Sequence, residues 1–400
     1  MKAILRNLED VAVLVGGGTP SRTNSEYFDG DIPWVTPSDL PTKGNVRSLG
    51  PAAEAITRIG LQNSSAKLLP PGTVLFSTRA TIGKIAVADR ECSTNQGFCN
   101  FIPVVDVIDS WYLAYYLAAV TDDIVALAGR TTFREVGRKQ LRAFSIPVPP
   151  LNEQRQVVRH LDRCMERVDE IQKLNSEAAT EAAALLPSSL AAYFAELDGT
   201  YPTATVGDCL VESRYGTSRR CNAGAAAVPV LRIPNVVRGR ISVDNLKYCE
   251  LNNEELERFR MHSGDVLVVR TNGSADLVGR CAVHVDSARS FAFASYLIRL
   301  RVDPAKVLPV FLMFFLTSTM GRDAIAAIRR TSAGQFNINV QNLRGIRLPL
   351  PPLAIQERVA ARLVEQRDVA AAIAAIQATH AADTNLLRNA VLRRAFAGDL

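Results

Sequence analysis

The segment IPVPPLNEQ at Ile146–Gln154 returns as LPLPPLAIQ at Leu348–Gln356, about two hundred residues further along a chain of 400. A proline pair fixes φ at two successive positions and withholds two backbone donors. Pro149-Pro150 and Pro351-Pro352 must each end the structure before them, and a helix can begin only after them. The chain therefore carries the same boundary twice. Other landmarks recur in the same order, which is the mark of a repeated architecture. LEDVAVLVGGGTPSR at Leu8–Arg22 parallels VGDCLVESRYGTSRR at Val206–Arg220, setting Asp10 against Asp208, Gly18 against Gly216 and Thr19 against Thr217. IPWVTPSDL at Ile32–Leu40 parallels VPVLRIPNV at Val228–Val236. PPGTVLFSTRATIGKIAVA at Pro70–Ala88 parallels HSGDVLVVRTNGSADLVGRCAVH at His262–His284, the second copy longer by four residues. WYLAYYLAAV and VFLMFFL take corresponding places before the two joints.

In each half, short β-branched runs such as TVLFS, KIAVA, DVLVVR and YLIRLRV alternate with Gly, Pro, Asn and Ser turns over roughly 150 residues. That pattern predicts an α+β fold class, with two repeated mixed α/β domains. After each joint the turn residues nearly vanish and apolar residues take helical spacing. The first stripe runs Val157, Leu161, Cys164, Val168, Ile171, Ala178, Ala182, Leu185; the second runs Val359, Leu363, Ala370, Ile373, Leu387, Val391, with Gln366 on the same line. Steps averaging about 3.5 residues put one narrow seam along a helix, as two long helices packed side by side require. The expected pairing is antiparallel, and each helix would reach about 60 Å at ~1.5 Å per residue. Pro187 predicts a kink or interruption in the first. The boundaries that follow are 1–151 and 199–353 for the globular domains and 152–198 and 354–400 for the helices.

Several function classes lack their residues. The two most apolar runs, Trp111–Val120 and Val307–Leu316, are each about half the length that crosses a bilayer, so they read as buried helices with no membrane partner. Arg6, Glu9 and Asp10 follow the first residues at once, leaving no apolar signal core, and the expected location is the cytoplasm. Seven cysteines, an odd number without a CxxC, predict neither a disulfide framework nor a zinc site, only small apolar side chains. The four histidines are scattered, which predicts no metal site. Gly16-Gly17-Gly18 lacks dinucleotide spacing, and there is no GxxxxGK[ST], GxSxG or HExxH. A chain without catalytic residues or a cofactor of its own is expected.

Charge is placed unevenly. Residues 152–198 carry five basic and nine acidic side chains and residues 354–400 six and five, a net −3, which leaves +9 on the globular parts of a chain whose formal charge is +6. A basic surface attracts phosphates and displaces their counterions whatever the base sequence. Polar clusters at matching points of the two copies sharpen this. Thr36 and Ser38, with Asp39, stand against Arg232 and Asn235. Thr78, Arg79 and Lys84, with Ser77, stand against Arg270, Asn272 and Arg280, with Thr271. Arg130 and Arg134, with Thr132, stand against Gln335 and Asn337, with Asn339. These side-chain types hydrogen-bond base edges: Arg to guanine, Asn or Gln to adenine, Ser or Thr to either. Their positions repeat while their identities change, as two readers of different base sequences require. For each residue a turn or loop hydrogen bond is the competing role. A competing class for the whole chain is a non-catalytic scaffold whose two domains bind acidic protein partners; salt dependence and sequence preference of duplex binding separate the two.

The chain resembles the DNA specificity subunit of type I restriction-modification systems over essentially its whole length. The carrying features are PVPPLNEQRQVV and PLPPLAIQERVA, the closing LLRNAVLRRAFAGDL at Leu386–Leu400, and the paired GTVLFSTRATIGKIAV and GDVLVVRTNGSADLVGRCAV. The resemblance implies two target-recognition domains, each reading one half of a split double-stranded DNA site, spaced by an antiparallel coiled coil. It implies two modification subunits that carry S-adenosylmethionine, methylate adenine and dock on the helical regions, joined by a motor-nuclease restriction subunit. Gln154, Arg155, Gln356, Arg358, Arg393 and Phe396 are the candidate partner contacts on those regions. The second copy departs from the first at Ile355, which stands where the first has Glu153.

Overall fold

In a computed structural model, which describes residues 4–79, 81–128, 135–222, 227–285, 289–332 and 334–397, the chain falls into two units. One is Met1–Ser176 together with Gln377–Leu400; the other is Glu177–Ile376. Four helices organise them: α1 (Ser110–Ala119), α2 (Leu151–Thr200), α3 (Pro309–Thr317) and α4 (Leu353–Ala397). α2 and α4 each run from one unit into the other.

The first unit is built on a five-stranded sheet in the order β2 (Ala12–Gly16), β9 (Phe98–Pro103), β6 (Val74–Ser77), β7 (Ile85–Val87), β4 (Val46–Ser48). It is antiparallel except at its edge, where β4 runs parallel to β7. A three-stranded sheet holds β5 (Glu54–Ile56), β3 (Phe28–Val35) and β8 (Ser93–Thr94). The first strand, β1 (Ile4–Asn7), pairs antiparallel with β10 (Ser145–Val148), the strand that leads into the proline joint. The TVLFS run is continuous in hydrophobicity because β6 is covered on both faces, and the strand period of two sorts its residues. Val74 and Phe76 pack with α1, whereas Leu75 joins Val35, Leu40 and Leu69 on the other face.

α1 starts where the Asp109 carboxylate accepts hydrogen bonds from the Trp111 and Tyr112 amides (2.9 and 3.1 Å). Eight of its ten residues are buried, so it has no face to give to water. Its side away from the sheet is covered by Leu161 and Met165 of α2 and by Leu392, Ala395 and Phe396 of α4. Phe396 meets Tyr112 and Tyr116 edge-on at 5.2 and 5.3 Å between ring centres. Phe396, expected at a partner surface, is half-buried, with one side of its ring against this unit's own core. Arg393, also a candidate partner contact, is exposed and ion-paired with Asp122 at 3.0 Å.

The second unit repeats the plan. Its large sheet runs β12 (Leu210–Tyr215), β21 (Leu297–Val302), β17 (Val266–Val269), β19 (Cys281–Val283), β15 (Gly239–Ile241), β14 (Val236–Val237), with β15 parallel to β19 as β4 is to β7. The small sheet is β16 (Lys247–Cys249), β13 (Val228–Leu231), β20 (Ala292–Phe293), and β11 (Thr203–Thr205) pairs with β24 (Arg347–Pro349), the strand before the second joint. α3 is covered by Val359 and Leu363 of α4 and by Leu190, Phe194 and Leu197 of α2. Phe194 lies 5.3 and 5.6 Å from Phe311 and Phe315, as Phe396 lies against Tyr112 and Tyr116. This unit also holds a separate small sheet of β18 (Thr271–Asn272), β23 (Gln335–Asn337) and β22 (Arg330–Ser332).

The recurring joint has one explanation in both units. Gln154 is fully buried; its carbonyl accepts from the Asp109 amide (2.8 Å) and its amide donates to the carbonyls of Val107 (2.9 Å) and Pro149 (2.8 Å). Gln356 does the same with the Leu308 amide and the carbonyls of Lys306 and Pro351, each at 2.9 Å. Asp109 and Leu308 are the N-cap residues of α1 and α3, so each glutamine bonds the start of a long helix to the start of the buried helix it must cover. Both glutamines were expected at a partner surface; burial corrects that, because neither amide is open to another molecule. Arg155 and Arg358, their neighbours, are exposed.

Three further expectations change. Pro187 lies inside α2 without interrupting it, on an exposed position where the carbonyl it leaves unbonded can face water. The seam also departs from the apolar stripe. Ile171, Leu185 and Leu387 are exposed, and Thr384 and Arg388 are buried on α4 together with Leu392 and Ala395. Within the first unit Arg388 faces Asp169 and Leu392 lies in the cluster with Leu161, so the two helix segments are antiparallel; in the second, Arg362 reaches Tyr193. Burial pulls the Arg388 guanidinium below its ordinary value, opposed by the Asp169 carboxylate. Finally, Cys221 and Cys249 form a disulfide, their Cα atoms 4.6 Å apart, because Asn222 and Tyr248 exchange backbone hydrogen bonds and set the cysteines side by side. The other five cysteines are free thiols, as the sequence predicted for all seven. Among the described residues no single helix is long and apolar enough to cross a membrane.

Replacing Gln154 with Ala strands one amide and two carbonyls in the interior. The expected cost is about 3 kcal/mol, at roughly 1–3 kcal/mol for each buried group left without a partner. Denaturant unfolding of the variant beside the native chain measures it, and a difference below about 0.5 kcal/mol would show that the joint does not depend on this side chain.

Candidate nucleic-acid interface

In both units the central strand runs beyond the core and meets the segment that precedes the joint. In the second unit Thr271 pairs with Asn337 and Asn272 with Phe336, and β23 is flanked on its other side by Arg330–Ser332. Arg270 enters this small sheet from β17: its amide donates to the Tyr296 carbonyl and its carbonyl accepts from the Ile338 amide. Its guanidinium lies over the Tyr215 ring at 4.5 Å and its Nε donates to Asn337 Oδ1 at 3.3 Å. The Tyr215 hydroxyl in turn accepts from the Val340 amide (2.9 Å). On the neighbouring side Arg329 lies 4.9 Å over the Phe336 ring and donates to the Ala275 carbonyl (3.1 Å).

Four of the sequence-predicted residues, Arg270, Asn272, Gln335 and Asn337, thus come together on one small sheet. Gln335 is exposed; Asn272 is half-buried, its Oδ1 accepting from the Ser274 amide (2.8 Å). Arg280 is exposed at the far end of the same loop, beside Gly279, whose φ of +83° holds the chain against Ile325. Two more cations lie near: Arg330 pairs with Asn337 on the small sheet, and Arg322 reaches the loop before Arg280. Burial pushes Arg322 below its ordinary value, and its guanidinium holds the loop through the carbonyls of Val278 (2.8 Å) and Asp276 (3.0 Å). The other two candidates of this unit behave differently. Asn235 is fully buried and bonds the Arg232 amide and the carbonyls of Ser242 and Asp244, so its expected role at a base edge is corrected to that of a loop anchor. Arg232 is half-buried, with one guanidinium nitrogen on the Asn245 carbonyl (2.6 Å).

In the first unit most of the candidates close loops. Thr78 is buried and its hydroxyl donates to the Gly97 carbonyl (3.2 Å), which corrects the expectation that it reads a base. Lys84 donates to the carbonyls of Pro37 (2.7 Å) and Leu40 (3.3 Å), tying the 77–84 loop to the turn at Thr36–Leu40. In that turn Thr36 bonds Asp39 through its amide (2.7 Å) and hydroxyl (2.8 Å) and shares a hydrogen bond with Ser38, which is exposed. Arg79 is half-exposed, pairs with Glu135 at 2.8 Å and forms an isolated bridge to it. That bridge corresponds to the Thr271–Asn337 pairing of the second unit. Arg130 and Arg134 lie outside the described residues. Sequence reasoning passed over Arg138, Lys139 and Arg142, which are exposed on the short helix Arg138–Arg142 just after Glu135. Three cations in five residues, RKQLR, was the available signal.

Residues 5–180 match the family described as the type I restriction modification DNA specificity domain. The specificity subunit of the type I restriction enzyme StySPI from Salmonella potsdam is 27% identical over 361 residues, covering 85% of this chain and 77% of its own length. That of EcoKI from Escherichia coli K12 is 25% identical over 360 residues, with the same coverage of 85% and 77%. Among solved structures, a chain from work on complex assembly and conformational transition of the type I R-M system superposes with a TM-score of 0.80 at 22% identity, covering 100% of this chain and 99% of its own. The HsdS subunit of Thermoanaerobacter tengcongensis superposes at 0.58 and 21% identity, covering 99% and 97%. The duplicated α+β frame is thus a fold that the whole chain shares with these solved structures, and residues 5–180 carry the similarity to the type I restriction modification DNA specificity domain.

Proposed function

We propose that the globular part of each unit reads one half of a split double-stranded DNA target, and that α2 and α4 carry the spacing between the halves. The observation behind this reading is the contrast at one scaffold position. The chain leaving β6 bears Thr78 and Arg79 against Glu135; the chain leaving β17 bears Arg270, Thr271 and Asn272 against Gln335 and Asn337. Two copies of a catalytic site need the same groups, whereas two readers of unlike sequences need unlike groups on a common frame. Gln335 and Asn272 suit adenine, and arginines such as Arg79 and Arg280 suit guanine. Exposed arginines supply most of the affinity through phosphates, so binding weakens steeply with salt. Modification subunits that hold S-adenosylmethionine and methylate adenine dock on the helices, with Arg155, Arg358 and Arg393 as contacts, and a motor-nuclease subunit completes a complex that works in the cytoplasm.

Replacing residues 1–151 with the corresponding part of a relative is expected to change one half of the methylated sequence and leave the other half intact. Sequencing of methylated adenines in DNA from cells carrying the complete system reads the result; a change in both halves would refute independent reading. On the same map Gln335→Ala should relax a single base position in the half read by the second unit, at a cost of about 1–3 kcal/mol of discrimination. Loss distributed over every position would instead mark Gln335 as a phosphate contact.

A further inference from the structure

The turn before β4 lies against α4 inside the first unit. Gly44 has a φ of +88°, and a side chain there would stand 3.6 Å from Asn389 and 3.8 Å from Arg388. On either side of it a cation of the recognition domain and a cation of α4 share one carboxylate. Lys43 and Arg393 both pair with Asp122, at 2.9 and 3.0 Å. Arg47 and Arg388 both pair with Asp169 of α2, the second at 2.8 Å. The Lys43 hydrogen bond, helped by the charges of Lys43 and Arg393, holds the Asp122 carboxyl below its usual range against the opposing effect of burial. Arg388 is 3% exposed and is also bonded to Gln172 (3.3 Å), while its Nε has no hydrogen-bond partner among the described residues. A buried guanidinium on a helix seam costs desolvation that an apolar residue would avoid, so its presence calls for a role other than stability.

The second unit has the same turn with less chemistry. Arg238 and Gly239 take positive φ where β15 begins, Gly239 approaches Met313 and Arg367, and Arg240 pairs with Asp368 at 2.6 Å. Arg240 and Asp368 are both exposed, and Arg367 of α4 shares the Asp368 carboxylate at 3.0 Å; among the described residues no ion pair links them to α2.

We infer that Asp169 is a positioning residue: with Arg47 and Arg388 it locks the first recognition domain to both long helices at one attitude and thereby restricts the spacer length that the complex accepts. This rests on the split-target reading above. Apolar packing of α1 holds the domain on the helices but resists small rotations weakly, because dispersion contacts are not directional. Two carboxylates, each shared between a domain cation and an α4 cation, define two points on the turn, and two points fix a rotation. Among the described residues the lock touches no base-reading candidate, so its loss leaves sequence preference unaltered.

The test uses the complete modification complex and the exposed ends of the lock, since removing Asp169 itself would leave Arg388 buried without its acid. Methylation is measured on duplexes carrying the native half-sites with the native spacer and with spacers one base pair shorter and longer. For the variant Arg47→Ala, which breaks the pair between the domain and α2, discrimination against the wrong spacers is expected to fall roughly two-fold, the scale of one exposed pair. Both half-site sequences should stay unchanged, and Arg47→Lys in an otherwise native chain should keep native discrimination. Unchanged discrimination on an intact split target would overturn the inference alone, as would an altered half-site sequence, which would make this turn a DNA contact. A native complex that methylates an uninterrupted target would overturn the split-target reading and this inference together.

Discussion

A helix that is apolar on all sides cannot sit at a surface, and this protein contains two. α1 and α3 lie with one side on a sheet, and the other side has to be covered by something else. Burying one side chain of the size of Leu or Phe is worth about 1.5–3 kcal/mol, so leaving that side in water would cost a large part of any domain's stability. In each unit the cover comes from two segments: the beginning of the long helix that follows the unit's own joint, and the end of the other long helix. The helices are therefore part of each unit's core and not connectors between finished domains. Phe194 and Phe396, near the ends of α2 and α4, do corresponding work on α3 and α1.

The joint glutamines follow from that burial. Bringing a long helix over the start of a buried one leaves backbone amides and carbonyls at the meeting point out of reach of water. A glutamine side chain, with one acceptor and two donor hydrogens on a flexible stem, satisfies three of them at once. Gln154 and Gln356 make corresponding bonds in both units, which is why the LxxQ spacing after the prolines recurs while its neighbours drift, Glu153 in one copy and Ile355 in the other. The base-reading candidates obey the opposite logic. Those left open, Arg79 in the first unit and Arg270, Asn272, Gln335 and Asn337 in the second, sit where the central strand leaves the core, so their side chains can change without disturbing the packing.

The parts of this arrangement that were legible in the sequence are those governed by local rules. Proline pairs stop structure, period-two and period-3.5 patterns separate strands from helices, and ten apolar residues in a row must be buried. These features carried the duplication, the fold class and the long helices. The candidate site was legible as a set of positions and only partly as a set of roles. Arg270, Asn272, Gln335 and Asn337 do meet on one sheet. Thr78 and Asn235 carry the same hydrogen-bonding groups but point inward to loop carbonyls, and residue type alone does not distinguish those directions. The cation-rich helix Arg138–Arg142 went unread because its cations look like any charged surface.

The amino-acid order by itself determined where elements begin, end and repeat, because φ restriction, apolar periodicity and turn chemistry act between neighbours along the chain. Tertiary structure alone decided which side chains face which. Arg388 takes a place in the helix seam, Phe396 closes over two tyrosines, and Cys221 meets Cys249, in each case because of a partner distant in sequence. Whether a polar group is buried with a partner or open to DNA depends on what packs over it, and that is a property of the assembled fold.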